Sequence, residues 1–154
     1  MKYDLEKVRA RSEHIKSYVA TPSRASEPFA KRKAEYKLDE AAVKELKKHA
    51  KHVVVVTFSA EWCPDCHRNV PVLEMISEAT GIETKVFGHI TRDAKDSKRK
   101  WAVPPSPPEV DEFGVTKIPF IVVLDQKGEK LGEIIENPPP GKTLEAALLE
   151  VIAK

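Results

Sequence analysis

With only two cysteines in its 154 residues, the chain falls short of the four ligands a structural zinc site requires. His14, His49, His52 and His89 are scattered without ligand spacing and do not make up the deficit. Charge of one sign is also lacking. Lysine and arginine number 26 against 24 acids, giving +2, and bases alternate with acids instead of gathering in a block. This excludes the electrostatic footprint of a nucleic-acid or membrane-surface binder. No apolar run approaches the roughly 18 residues of a membrane span. The opening MKYDLEKVRARSEH lacks the apolar stretch of a secretory signal. A soluble, cytoplasmic protein is the resulting expectation. There is no internal repeat, and the length suits one ordinary domain with a useful core.

The order of elements then becomes legible. Residues 4–20 set Leu5, Val8, Ser12, Ile15 and Val19 at helical steps, stopped by Pro22. This predicts a helical arm packed on the domain. Residues 21–28 read as a polar linker, and 29–37 fit a helix or a short edge strand equally well. Asp39 is a candidate N-cap for a helix over 40–51 that turns Val43, Leu46 and Ala50 to one side. VVVVTF, residues 53–58, has the β-branched continuity of a strand buried on both faces. The cysteines follow at once. After them Val70, Val72, Leu73, Ile76 and Ala79 continue a helix to Gly81. Residues 84–90 read as a second strand, parallel to the first because a helix joins them. Residues 91–117 are irregular, proline-rich and charged, with at most a short helix near Glu109–Phe113, and Trp101 is expected to be anchored against the domain. Residues 120–125 and 130–136 flank a turn and predict a hairpin, and Thr143 caps a last helix. The total is α/β: a mixed central sheet with helices on both faces. Residues 1–37 form an arm and linker, and 38–154 the main domain.

Cysteines separated by two residues, between a strand and a helix, suit a redox dithiol. The first N–H groups of a helix and the positive end of its dipole stabilise a thiolate there. Pro64 fits the first helical position, where its missing N–H costs nothing. Cys63 is therefore expected as the exposed nucleophile with a lowered pKa, and Cys66, one turn in, as the resolving thiol. The string Cys63-Pro64-Asp65-Cys66-His67 also fits covalent haem attachment, with His67 as axial ligand. That would need an export route the amino terminus does not display. Zinc shared between two chains is a further alternative. His67 otherwise reads as a solvated residue of the first turn.

Ala60-Glu61-Trp62-Cys63-Pro64-Asp65-Cys66, Pro71 five residues on, and Phe113-Gly114-Val115-Thr116-Lys117-Ile118-Pro119 before the hairpin together resemble the thioredoxin family over roughly residues 38–153. The resemblance implies a thioredoxin fold with the amino-terminal helical extension added to it. It implies attack by Cys63, resolution by Cys66, a kink at Pro71 and a cis Pro119 beside the dithiol. Trp62 would cover the dithiol and contact substrate, with Pro64, Asp65 and the Ile118 backbone supporting the site. The Pro-Asp pair between the cysteines looks like that of thioredoxin-related reductases with narrow substrate ranges. Thr57 stands where many members carry a buried aspartate that deprotonates the resolving thiol. Asp65, Glu61 or water must then take that proton, and resolution is expected to be slow and to quicken in Thr57→Asp.

The expected activity is thiol–disulfide exchange: reduction of protein or small-molecule disulfides without cofactor or metal, with electrons from a thioredoxin-reductase-like donor. The competing expectation is a redox-sensing or partner-binding module that does not turn over.

Overall fold

The computed structural model describes residues 1–90 and 106–153. Expectations for 91–105, including Trp101, lie outside the described residues.

The arm opens with α1 (Leu5–Arg11), whose first turn is capped by the Asp4 carboxylate accepting from the Lys7 N–H. The single helix expected over 4–20 is interrupted. The Ser12 N–H and hydroxyl both donate to the Val8 carbonyl, closing α1. Glu13 and His14 then extend as β1 (Glu13–His14), and His14 caps α2 (Ile15–Ala20). A helical stripe survives the break, so Leu5, Val8, Ile15 and Tyr18 are buried. The linker is shorter than expected. Ala25 is fully buried and α3 (Ser26–Glu35) begins within it, which settles 29–37 as largely helical. Asp39 caps α4 (Glu40–His49), its carboxylate accepting from the Ala41 and Ala42 N–H groups, and one 3-10 turn follows.

β2 (Val53–Phe58) is buried at every position and is the middle strand of five. It runs parallel to β3 (Glu83–Phe87) and antiparallel to β4 (Phe120–Asp125). β5 (Lys130–Ile135) pairs antiparallel with β4, and β1 antiparallel with β3, in the order β1-β3-β2-β4-β5. β3 is shorter than the expected 84–90, because His89 turns to positive φ beyond Gly88. The crossover between β2 and β3 is α5 (Pro64–Thr80), ended by Gly81 at φ 81° as expected for a left-handed cap. α6 (Glu109–Glu112) is the short helix foreseen before Gly114. α7 (Leu144–Ala153) starts on Thr143, whose hydroxyl accepts from the Ala146 N–H.

One core joins arm and sheet, with Tyr3, Val8, Ile15 and Phe29 in the same cluster as Val54, Phe58, Leu73 and Val122. Tyr3 stacks on Phe113 at 3.9 Å, and its N–H donates to the Gly128 carbonyl at 2.8 Å. Only glycine allows that clasp: a Cβ on residue 128 would lie 2.0 Å from the Tyr3 carbonyl oxygen. Polar ties run alongside, with Arg9 gripping Glu83 through two bonds of 2.8 and 2.9 Å and Arg11 paired with the buried Glu109.

Candidate active site

Where β2 ends, the Ser59 N–H still donates to the Phe87 carbonyl at 3.0 Å, carrying the parallel ladder one residue further. The chain then turns through Ala60, Glu61 and Trp62 into α5, with Cys63 as its N-cap. An N-cap side chain faces helix N–H groups that have no carbonyl partner. Here the Cys63 sulfur accepts the Cys66 N–H at 3.2 Å. The two thiols are free and differ in access. Cys63 is 5% exposed and Cys66 fully buried. The expectation of an exposed Cys63 is thus corrected: a sliver of its surface meets solvent, because the turn and the Ile118–Pro119 segment close around it. The Cys63 thiol points at the Ile118 carbonyl oxygen, 3.8 Å away, and the Ile118–Pro119 peptide bond is cis.

The electrostatics separate the pair further. The Cys66 thiol, donating to the Cys63 sulfur, does most to hold Cys63 below the usual thiol range, with the Cys66 and Asp65 N–H groups adding to it. Burial and the Asp65 charge oppose this without reversing it. Burial, then donation to Cys63, pushes Cys66 far up. One sulfur is thus set to be a thiolate and the other to stay a thiol.

The remaining expected residues are placed as follows. Trp62 is half-buried against the core, its indole N–H donating to the Ile90 carbonyl at 3.0 Å. Pro64 occupies the first helical position and is exposed. The Asp65 carboxylate is engaged by Arg68 at 2.9 Å. His67 is not the solvated residue expected. Its Nε2–H donates to the Glu61 carbonyl at 2.7 Å, and its ring meets Phe29 edge-on at 5.9 Å between centroids. Pro71 is buried inside a helix that runs on through it. Thr57 lies fully buried in β2 between Val86 and Ile121, and its hydroxyl has no hydrogen-bond partner among the described residues.

Sequence reasoning missed three residues around the dithiol. Asn69 donates to the carbonyls of Asp65 and Glu136 and to the Asn137 side chain, each at 2.9 Å, latching the start of α5 to the segment after β5. Ser59 is fully buried beside Cys66, and Tyr18 reaches from the arm to bond Ser59 at 3.0 Å. Tyr18 stands three residues after Ile15, so the helical stripe could have pointed to it, had Val19 not been preferred for its apolar character. Ser59 carries no local signal beyond its place at the strand exit.

A mixed sheet with a Cys-x-x-Cys pair at the junction of its central strand and a long helix defines a thiol–disulfide oxidoreductase of thioredoxin fold. The sequence model of the family described as Thioredoxin matches residues 12–149, so the match begins within the arm. The chain belongs to the thioredoxin family. A thioredoxin of Rickettsia typhi is 30% identical over 82 residues, 51% of this chain and 67% of that protein. The crystal structure of a protein of unknown function from Pseudomonas aeruginosa matches at 18% identity and a TM-score of 0.69, over 98% of this chain and 96% of that one. An HIV epitope-scaffold matches at 17% and 0.66, over 97% and 89%. At those identities the structural likeness bears on the fold, and it takes in the arm as well as the sheet.

Proposed function

We propose that the protein is a disulfide reductase that turns over on protein or low-molecular-weight disulfides in a reducing cytosol. The observation that carries this reading is the asymmetry of the dithiol: a capping, acid-shifted Cys63 that keeps a sliver of contact with solvent and a sealed, proton-holding Cys66 behind it. The Cys63 thiolate attacks a substrate sulfur, the substrate S–S bond breaks, and the departing thiolate takes a proton from solvent. Cys66 then loses its proton and attacks the Cys63 sulfur, releasing the second substrate thiolate and leaving a Cys63–Cys66 disulfide. Two electrons and two protons from a thioredoxin-reductase-like donor restore the dithiol. Trp62, Pro64 and Asp65 border the sulfur that meets substrate. The Ile118 carbonyl, already within reach of Cys63, offers a backbone partner on the other side.

Reduction of a protein disulfide, coupled through thioredoxin reductase to NADPH, tests this directly. The expected result is continuous NADPH oxidation that is abolished in Cys63→Ser, with mixed disulfides accumulating on Cys66→Ser. A single stoichiometric exchange without turnover overturns the reading in favour of a redox-sensing module.

A further inference from the structure

The buried thiol of Cys66 has to lose a proton while β2 carries at Thr57 a hydroxyl without a hydrogen-bond partner among the described residues, and no acid. A different route lies a few ångströms away. The Tyr18 hydroxyl donates to Glu61 Oε2 at 2.6 Å and contacts the Ser59 hydroxyl at 3.0 Å. Tyr18 has one hydroxyl hydrogen and it is committed to the carboxylate. The Ser59 hydroxyl must therefore donate to Tyr18 Oη. The Ser59 oxygen is then left as an acceptor, and its hydroxyl is among the groups that act on the Cys66 thiol, easing its pKa down against the larger effect of burial. While Cys63 is a thiolate, the Cys66 S–H points to it. Once Cys63 is capped in a mixed disulfide that attraction is gone, and Ser59 is the neighbouring acceptor.

We propose that the arm completes the active site: Cys66 Sγ–H, Ser59, Tyr18 and Glu61 form a proton relay that drains the resolving thiol to the surface. Beyond the thiol, the hydrogens of Ser59 and Tyr18 both point toward the carboxylate. In the resolving step the Cys66 proton passes to Ser59 Oγ, the Ser59 proton to Tyr18 Oη and the Tyr18 proton to Glu61 Oε2. The Cys66 thiolate forms the bond to Cys63 as the substrate thiolate leaves. The neutral Glu61 carboxyl then gives its proton to solvent, to which its side chain is 19% exposed. Ser59, newly protonated from Cys66, points back at the thiolate and favours it.

The groups facing Glu61 come from several elements. They are Tyr18 from α2, the backbone N–H and ring Nδ1–H of His89 at 3.2 and 2.9 Å, and Glu13 of β1 across the His89 ring at 3.8 Å. His67 of α5 holds the Glu61 carbonyl. Gly88 makes room for the relay: a Cβ there would lie 2.3 Å from Tyr18 Cε1. Ser59 and Tyr18 touch neither substrate nor Cys63 and act as positioning residues through Cys66.

This inference rests on Cys66 being the resolving thiol, as proposed above, and one experiment reads both. Reduced protein is mixed with dithiobis-nitrobenzoate in a stopped-flow instrument. The first coloured thionitrobenzoate marks attack by Cys63, and the second marks resolution by Cys66. Release of only one equivalent by the wild type overturns the functional reading. Release of two sets the stage for Tyr18→Phe, which keeps the ring and removes the hydroxyl. The expected result is a second release slowed about a hundredfold near neutral pH, relative to the first release in the same trace. The pH profile should also change. Resolution in Tyr18→Phe should rise in proportion to hydroxide throughout, a steeper dependence than that of the wild type. Glu61→Gln, at the surface end, should reproduce that profile, and the double variant should be no slower than either single one. It also keeps the test open should Tyr18→Phe fold poorly. An unchanged second release with a wild-type pH profile in either folded variant overturns the relay while leaving the reductase standing.

Discussion

Two thiols three residues apart are given opposite acidities by their places on one helix: Cys63 receives N–H groups at the cap and Cys66 is sealed behind it. Alkylation followed against pH should therefore label Cys63 below the range of ordinary thiols and leave Cys66 unlabelled until the protein unfolds. Mass spectrometry of the labelled peptide checks the order. Preferential labelling of Cys66 would reverse the assignment. Thr57 makes a second test. A buried hydroxyl without a partner costs about 1–3 kcal/mol, and valine fills nearly the same volume on a strand that favours β-branched residues. Thr57→Val should raise the unfolding free energy by about 1 kcal/mol, read from the midpoint in urea at an unchanged slope. Thr57→Asp should lower it by about 3–5 kcal/mol at neutral pH, the cost of an uncompensated buried charge.

At the scale of elements, the arm helices are held by hydroxyl-to-carboxylate bonds. Tyr18 of α2 donates to Glu61, and Tyr36, the residue ending α3, donates to the fully buried Glu145 of α7 at 2.7 Å. The other Glu145 oxygen accepts the Asp39 N–H at 2.7 Å, so one carboxylate ties the starts of α4 and α7 to the end of α3. Glu145→Ala should cost about 2–3 kcal/mol, since it orphans both donors. Burial first, then these bonds, raises the pKa of both tyrosines above the ordinary 10.0. Above that value the unfolded chain has lost the phenolic protons while the folded chain still holds them. Stability is therefore full below pH 10 and declines as pH rises beyond it. Urea midpoints measured from pH 8 to 11, a range of about three units spanning the ordinary tyrosine value, should fall less steeply in Tyr18→Phe and Tyr36→Phe. Equal slopes in all three proteins would show that the hydroxyls titrate freely.

Elements with their own chemistry were legible in the sequence. β2 followed from an unbroken β-branched run, α5 from its proline start and glycine stop, and α7 from the Thr143 cap. β1 was not, because Glu13 and His14 have no strand propensity. They extend because the edge of β3 offers Val86 and Lys85 as partners, a gain visible only in three dimensions. The dithiol was legible for the same local reason as α5. Glu61 was already a candidate proton acceptor, but the Tyr18–Ser59 contact that links it to Cys66 was not legible, since a bond spanning 41 residues leaves no mark on either end.

For the whole molecule the decisive question is whether the arm is an appendage or part of one cooperative unit. Tyr3, Leu5, Val8, Ile15, Tyr18 and Phe29 are all buried in the shared core. Full burial of such side chains contributes roughly 1.5–3 kcal/mol each, so their sum is on the order of 10 kcal/mol. That is comparable with the 5–15 kcal/mol by which domains are typically stable. Removing residues 1–37 also strips the partners of the buried Glu74, Glu109 and Glu145, held by Lys33, Arg11 and Tyr36. A chain beginning at Leu38 is therefore expected to lack a cooperative thermal transition and to bind hydrophobic dye, although it retains both cysteines and every residue from Trp62 to Cys66. Differential scanning calorimetry of the full and shortened chains decides the matter. A single sharp transition in the shortened chain, within a few degrees of the full one, would make 38–154 a domain in its own right and the arm an attachment to it.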